Sequence, residues 1–163
     1  MSKVAIVTDS TAYIPKELRE KYAITVVPQV VIWENETFED DVTITPDQFY
    51  TRLRTAKKMP STSQVSVVNM QNAFSTLADQ GYDVLGIFLS AKLSGTYQSA
   101  TLAREQLTSN KEKVDFMDSE TTAMAMGFQV LAAARAAMDG ASSADCKALV
   151  EKARSHTGVY LTV

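Results

Sequence analysis

The chain has 163 residues, 45% of them hydrophobic, and a formal net charge of -3, enough for the core of one domain but without the basic surface that nucleic acid requires. One cysteine, Cys146, and one histidine, His156, exclude an internal disulfide and a Cys-rich zinc site, and argue against a His-based metal or triad site. No apolar run approaches the roughly 20 residues that cross a bilayer and no secretory pattern opens the chain, so a cytoplasmic protein that is not an integral membrane protein is expected.

Residues 3–8 (KVAIVT) form a short β-branched run, the pattern of a central parallel strand buried on both faces. Pro15 starts a short helix over 16–21, and residues 24–33 read as a second strand followed by a turn at 34–36. Thr45, Pro46 and Gln48 combine a cap, a first-turn proline and a capping-box partner, predicting a helix over 46–56. Residues 57–64 read as a loop. Val67, Met70, Phe74, Leu77 and Ala78 then recur at helical spacing until Gly81.

A buried strand follows over 84–89, then a loop over 90–94, a helix over 95–107, a strand over 113–117 and a loop over 118–120. An Ala- and Met-rich helix is predicted over 121–139, ending at Gly140, and Ser142 or Ser143 caps a last helix through 155. Met117, Met124 and Met126, with Phe128, read more readily as core than as the wall of a tunnel. The alternation of strands and helices gives an α/β fold, a mainly parallel sheet with helices on both faces. Residues 159–163 (VYLTV) are a buried-strand sequence without a turn or polar tail. The expected organisation is therefore one domain over 1–158, with 159–163 beginning the connection to a second domain absent from this chain.

In open α/β sheets the ligand crevice lies beyond the carboxyl ends of the strands. Here those ends run into hydroxyl-rich loops: Asp9-Ser10-Thr11, Ser90 with Ser94-Gly95-Thr96, and Asp118-Ser119-Glu120. A fourth such loop, Ser61-Thr62-Ser63-Gln64, precedes a helix. Singly, each is an ordinary helix cap or turn. Converging on one edge, they would hold an anion through hydroxyls and helix N-termini. The glycine-rich phosphate cradles are missing. Asp9, Asp118 and Glu120 leave open a Mg²⁺-dependent enzyme acting on a small phosphorylated substrate. Ser94 lacks a nucleophile elbow, which argues against a hydrolase.

Pro60-Ser61-Thr62-Ser63-Gln64 and Leu93-Ser94-Gly95-Thr96-Tyr97-Gln98-Ser99-Ala100 resemble motifs of the DegV family, lipid-binding proteins that include the B subunit of bacterial fatty acid kinase. Val7-Thr8-Asp9-Ser10-Thr11 and Asp118-Ser119 are similar to its other turns. The resemblance implies a non-catalytic carrier that uses no cofactor and holds a long-chain fatty acid by its carboxylate, presenting it to an ATP-dependent fatty acid kinase subunit for phosphorylation. It implies carboxylate contacts from Thr62 and Ser94, supported by Gly95, with Ser63, Gln64, Ser10 and Ser119 as further candidates. Val65 stands where the family often has proline, which implies a less rigid loop. Ala123 and Ala125 replace a serine and a glycine of the family pattern.

Overall fold

The computed structural model describes residues 3–160. Strand β1 (Val4–Asp9) is buried along its whole length. It pairs in parallel with β2 (Thr25–Val27) on one side and β6 (Asp83–Phe88) on the other, and β7 (Val114–Asp118) adds in parallel beyond β6. The expected parallel sheet is therefore present.

Helices cover both of its faces. On one, α5 (Ala123–Met138), α6 (Ser143–Arg154) and residues Leu18 and Tyr22 of and beside α1 (Lys16–Lys21) close a core around Ile6, Leu85, Ile87 and Val130. On the other, α3 (Val67–Asp79) and α4 (Thr96–Glu105) bury Val7, Val84, Val114 and an aromatic group of Phe74, Phe88 and Phe116. Met117 and Met126 belong to the first core and Met124 packs against it, whereas Phe128 is 56% exposed.

The structure departs from the sequence reading between residues 24 and 64. Instead of one strand over 24–33, the chain leaves the parallel sheet after Val27 and begins β3 at Val30. Pro28 intervenes; lacking an N–H and restricting the residue before it, proline interrupts a ladder. β3 (Val30–Trp33) turns through Glu34, held at φ 56, and Asn35 into β4 (Glu36–Glu39). The expected loop over 57–64 contains β5 (Ser61–Ser63), antiparallel to β3 with Thr62 opposite Val31. The result is a second sheet of order β4-β3-β5. Helix α2 (Pro46–Leu53), with the expected Thr45–Gln48 capping box, supplies Phe49 and Leu53 to a small core around Val31, Trp33 and Ile44.

Smaller differences lie at helix ends: α5 starts at Ala123, not at 121, and α6 starts behind a capping box of Ser142 and Asp145. Val159 and Tyr160 lie outside regular structure and are 38% and 101% exposed, so the strand expected over 159–163 is not seen there. Its remainder, 161–163, lies outside the described residues.

Gly86, in the middle of β6, shows how closely the second face is packed. A Cβ there would lie 2.5 Å from the Phe88 ring and 2.9 Å from Phe116 Cβ. Gly86→Ala is expected to lower the unfolding free energy by about 1–3 kcal/mol through overpacking, measured by denaturant titration against the wild type.

Candidate functional site

Chain order reverses at β1: β2 lies on one side while β6 and β7 build outward on the other. The chain leaves the paired ends of β1 and β6 toward opposite faces, into α1 and α4, and there an open α/β sheet leaves its crevice. Asp9 fastens those ends. Its Oδ2 accepts from Leu89 N at 2.9 Å, and its Oδ1 accepts from Thr11 N at 3.0 Å and Thr11 Oγ1 at 2.6 Å.

Above this edge lies a cleft of about 460 Å³, walled by the end of the parallel sheet and by the second sheet. Thr62, Ser63 and Gln64 line it from β5 and its continuation; Leu93, Ser94 and Gly95 line it from the loop after β6. Two loops separated by some thirty residues of chain, each singled out in the sequence, thus reach one cavity. Register explains Thr62: directly opposed residues of an antiparallel pair share a face, and Val31, its partner, lines the same cleft.

Gly95 caps α4, and a Cβ at that position would lie 3.1 Å from the Gln64 side chain. Glycine there lets the two loops abut. Val65, in place of a proline, is fully buried, and its N–H donates to Thr96 Oγ1 at 3.4 Å.

The other two hydroxyls singled out earlier lie elsewhere. Ser10 is buried beneath the cleft, where its Oγ accepts from Gln29 N at 3.1 Å, and it lines an adjoining cavity instead. Ser119 is fully buried and its Oγ donates to Thr121 O at 3.1 Å, closing its own turn.

The carboxylates considered for Mg²⁺ are each engaged separately. Asp118 accepts from Ala91 N at 3.2 Å and from Glu120 N at 2.7 Å, while Glu120 lies 3.2 Å from Arg154. Among the described residues no three His, Cys, Asp or Glu side chains are grouped to hold a metal ion.

Several lining residues went unrecognised in the sequence. Phe49, Tyr50, Val31 and Leu89 give the cleft an apolar wall, and Gln29 lies at its floor. Tyr13, Asp40 and Pro46 form the side shared with the adjoining cavity. The lining includes one acidic side chain, Asp40, and no Lys, Arg or His. The β3–β4 hairpin, which with its flanking residues supplies Gln29, Val31 and Asp40, has no strong sequence signal, whereas Thr96, behind the cleft, stands inside the Leu93–Ala100 motif and could have been flagged by position.

The molecule is a parallel α/β lobe whose crevice is lined by hydroxyls from two segments and by aromatic side chains of α2, the helix packed on the second sheet. The family model described as "Uncharacterised protein, DegV family" matches residues 3–163, and the chain belongs to the DegV family. It is 36% identical over 140 residues to Protein DegV of Bacillus subtilis, covering 86% of this chain and 49% of that protein. A DegV domain-containing protein of Clostridium perfringens is 38% identical over 139 residues, covering 84% of this chain and 49% of the relative. The chain thus spans about half the length of these relatives.

Among solved structures, DegV of Bacillus subtilis, described as a fatty acid binding protein, matches with TM-score 0.86 and 33% identity over 95% of this chain and 55% of its own. A DegV family protein from Thermus thermophilus, described for its fatty acid binding, matches with TM-score 0.82 and 31% identity over 94% and 54%.

Burial pushes the Asp9 carboxyl up from its ordinary value of 3.8, against the lowering effect of hydrogen bonds from Thr11, Leu89 and Gln29. The folded state therefore keeps a proton that the unfolded chain releases, so this contribution to stability is complete below pH 3.8 and is lost as pH rises through the folded value. Asp9→Asn should remove that downward component from a stability-against-pH profile. Because an amide cannot accept at both oxygens' positions, it should also cost about 1–3 kcal/mol; thermal or denaturant unfolding across pH checks both.

Proposed function

We propose that this chain is the head-group-binding lobe of a cytoplasmic fatty-acid carrier, which holds a long-chain fatty acid by its carboxylate and performs no chemistry on it. The observation that carries this reading is the meeting of Thr62 and Ser94 on one cleft, beside the apolar wall of Val31, Phe49, Tyr50 and Leu89. Fatty-acid-binding DegV proteins share the fold at 31–33% identity, and a relative from Eubacterium ventriosum, at 27% identity and TM-score 0.82, is described as binding stearic acid.

In this reading the Thr62 and Ser94 hydroxyls donate to the carboxylate, supported by the backbone at Gly95, the amino-terminal cap of α4. Ser63 and Gln64 shape the rim. Ser10 and Ser119 do not touch the ligand: Ser10 anchors Gln29 and Ser119 closes its own turn. Neutral donors suit a ligand whose affinity comes from its tail: at roughly 0.8 kcal/mol per methylene, an acyl chain of about sixteen carbons supplies on the order of 12 kcal/mol before ordering costs. The head group then needs orientation more than attraction. With no Lys, Arg or His among the described residues that line the cleft, the carboxylate stays nucleophilic enough for an ATP-dependent kinase subunit to phosphorylate. A second lobe, corresponding to the other half of the longer relatives, would close over the tail.

The test is denaturing extraction and mass spectrometry of the complete polypeptide after saturating loading with palmitate or stearate. A stoichiometric long-chain fatty acid is expected, and recovery of none from folded protein would overturn the proposal. Thr62→Ala and Ser94→Ala should each weaken retention by about tenfold, the value of one hydrogen bond to a charged group.

A further inference from the structure

Behind the cleft, Thr96 is fully buried and its Oγ1 is shared among three segments of the chain. It accepts from Gln29 Nε2 at 2.9 Å and from Val65 N at 3.4 Å, and it lies 3.1 Å from Ser94 Oγ. One hydroxyl thereby joins the residue before β3, the segment after β5 and the loop after β6.

The direction of these bonds follows from counting. A hydroxyl has one proton and two lone pairs. The Val65 amide can only donate. The Gln29 side chain sets its Nε2 2.9 Å from Thr96 Oγ1, closer than its Oε1 at 3.3 Å, so the amide meets Thr96 with its NH₂ end and donates. Both Thr96 lone pairs are then occupied, and Ser94 cannot donate to it. Ser94 Oγ in turn accepts from Thr96 N at 3.2 Å, and the Thr96 proton points to it across 3.1 Å, a shorter path than the 3.3 Å to Gln29 Oε1. The proton of Ser94 is left without an inward acceptor and turns to the cleft.

We infer that Thr96, set by Gln29 and Val65, is a positioning residue that fixes Ser94 as a hydrogen-bond donor toward the cleft, selecting a ligand head group that accepts, such as a carboxylate, over one that only donates. The inference rests on the proposed function, whose ligand site it refines. Bonds aligned in one sense along Gln29, Thr96 and Ser94 also polarise one another, strengthening the last donor.

Two probes with the same tail separate this role from a merely structural one. Palmitate presents acceptors only, whereas hexadecanol can donate or accept and so tolerates either orientation of Ser94. In the full-length protein, Thr96→Val removes the oxygen at nearly constant shape and frees Ser94 to rotate. The palmitate-to-hexadecanol affinity ratio should fall about tenfold, and Thr96→Ser should restore it. Gln29→Glu, which puts an acceptor where Thr96 now receives a proton, should lower the ratio in the same way by drawing the relay inward. Equal losses for both probes, or a ratio unchanged in a folded Thr96→Val and in Gln29→Glu, would overturn the inference. If the wild type binds neither probe, the proposed function itself fails, and that outcome is distinct from the first two. Should Thr96→Val not fold, the Gln29→Glu and Thr96→Ser ratios decide alone.

Discussion

The buried carboxyl of Asp9 is the fastening on which the crevice depends. It ends β1 and takes the amide of Leu89 just past β6, so the two strands are tied at the point where the chain after each turns to its own face of the sheet. A second buried bond, from Thr8 Oγ1 to Ile87 O at 2.8 Å, reinforces the same joint from one residue earlier. Without this fastening the loops that follow would start from independent positions, and hydroxyls carried on them would have no fixed separation.

The second sheet completes the cleft by a different principle. Its own core is small, built around Trp33, Val31 and Ile44, with Arg52 stacked 4.7 Å over the Trp33 ring. It contributes orientation through register: pairing with β3 aims Thr62 along the same face as Val31. The edge of the parallel sheet thus presents the Ser94 hydroxyl, and the antiparallel sheet presents the Thr62 hydroxyl from the opposing wall.

The central strands were readable because burial on both faces leaves them almost wholly apolar, and α3 because its inward residues keep a helical period. The Thr45–Gln48 cap announces itself by residue type, whereas the sequence leaves Ser142 and Ser143 both open as the cap of α6 and does not single out Asp145. The 24–39 region was not readable as two strands: Val26 to Trp33 is nearly continuous in apolar character, and the break rests on Pro28 alone. β5 was hidden for the opposite reason, since Ser-Thr-Ser has no hydrophobic alternation and owes its conformation to β3. In the site, motif residues such as Thr62 and Ser94 stood out, but Gln29 did not, because its bond to Thr96 spans 67 positions. Long-range polar pairs of that kind leave no local trace.

The three-residue edge strand Ser61–Ser63 holds its place through backbone pairing, a type of contact that is indifferent to which side chains it carries. Exchanges at Thr62 therefore alter the chemistry presented to a guest while the frame beneath stays put. In the proposed reading, head-group selectivity is then free to drift by single substitutions while the strand pairing underneath stays as it is.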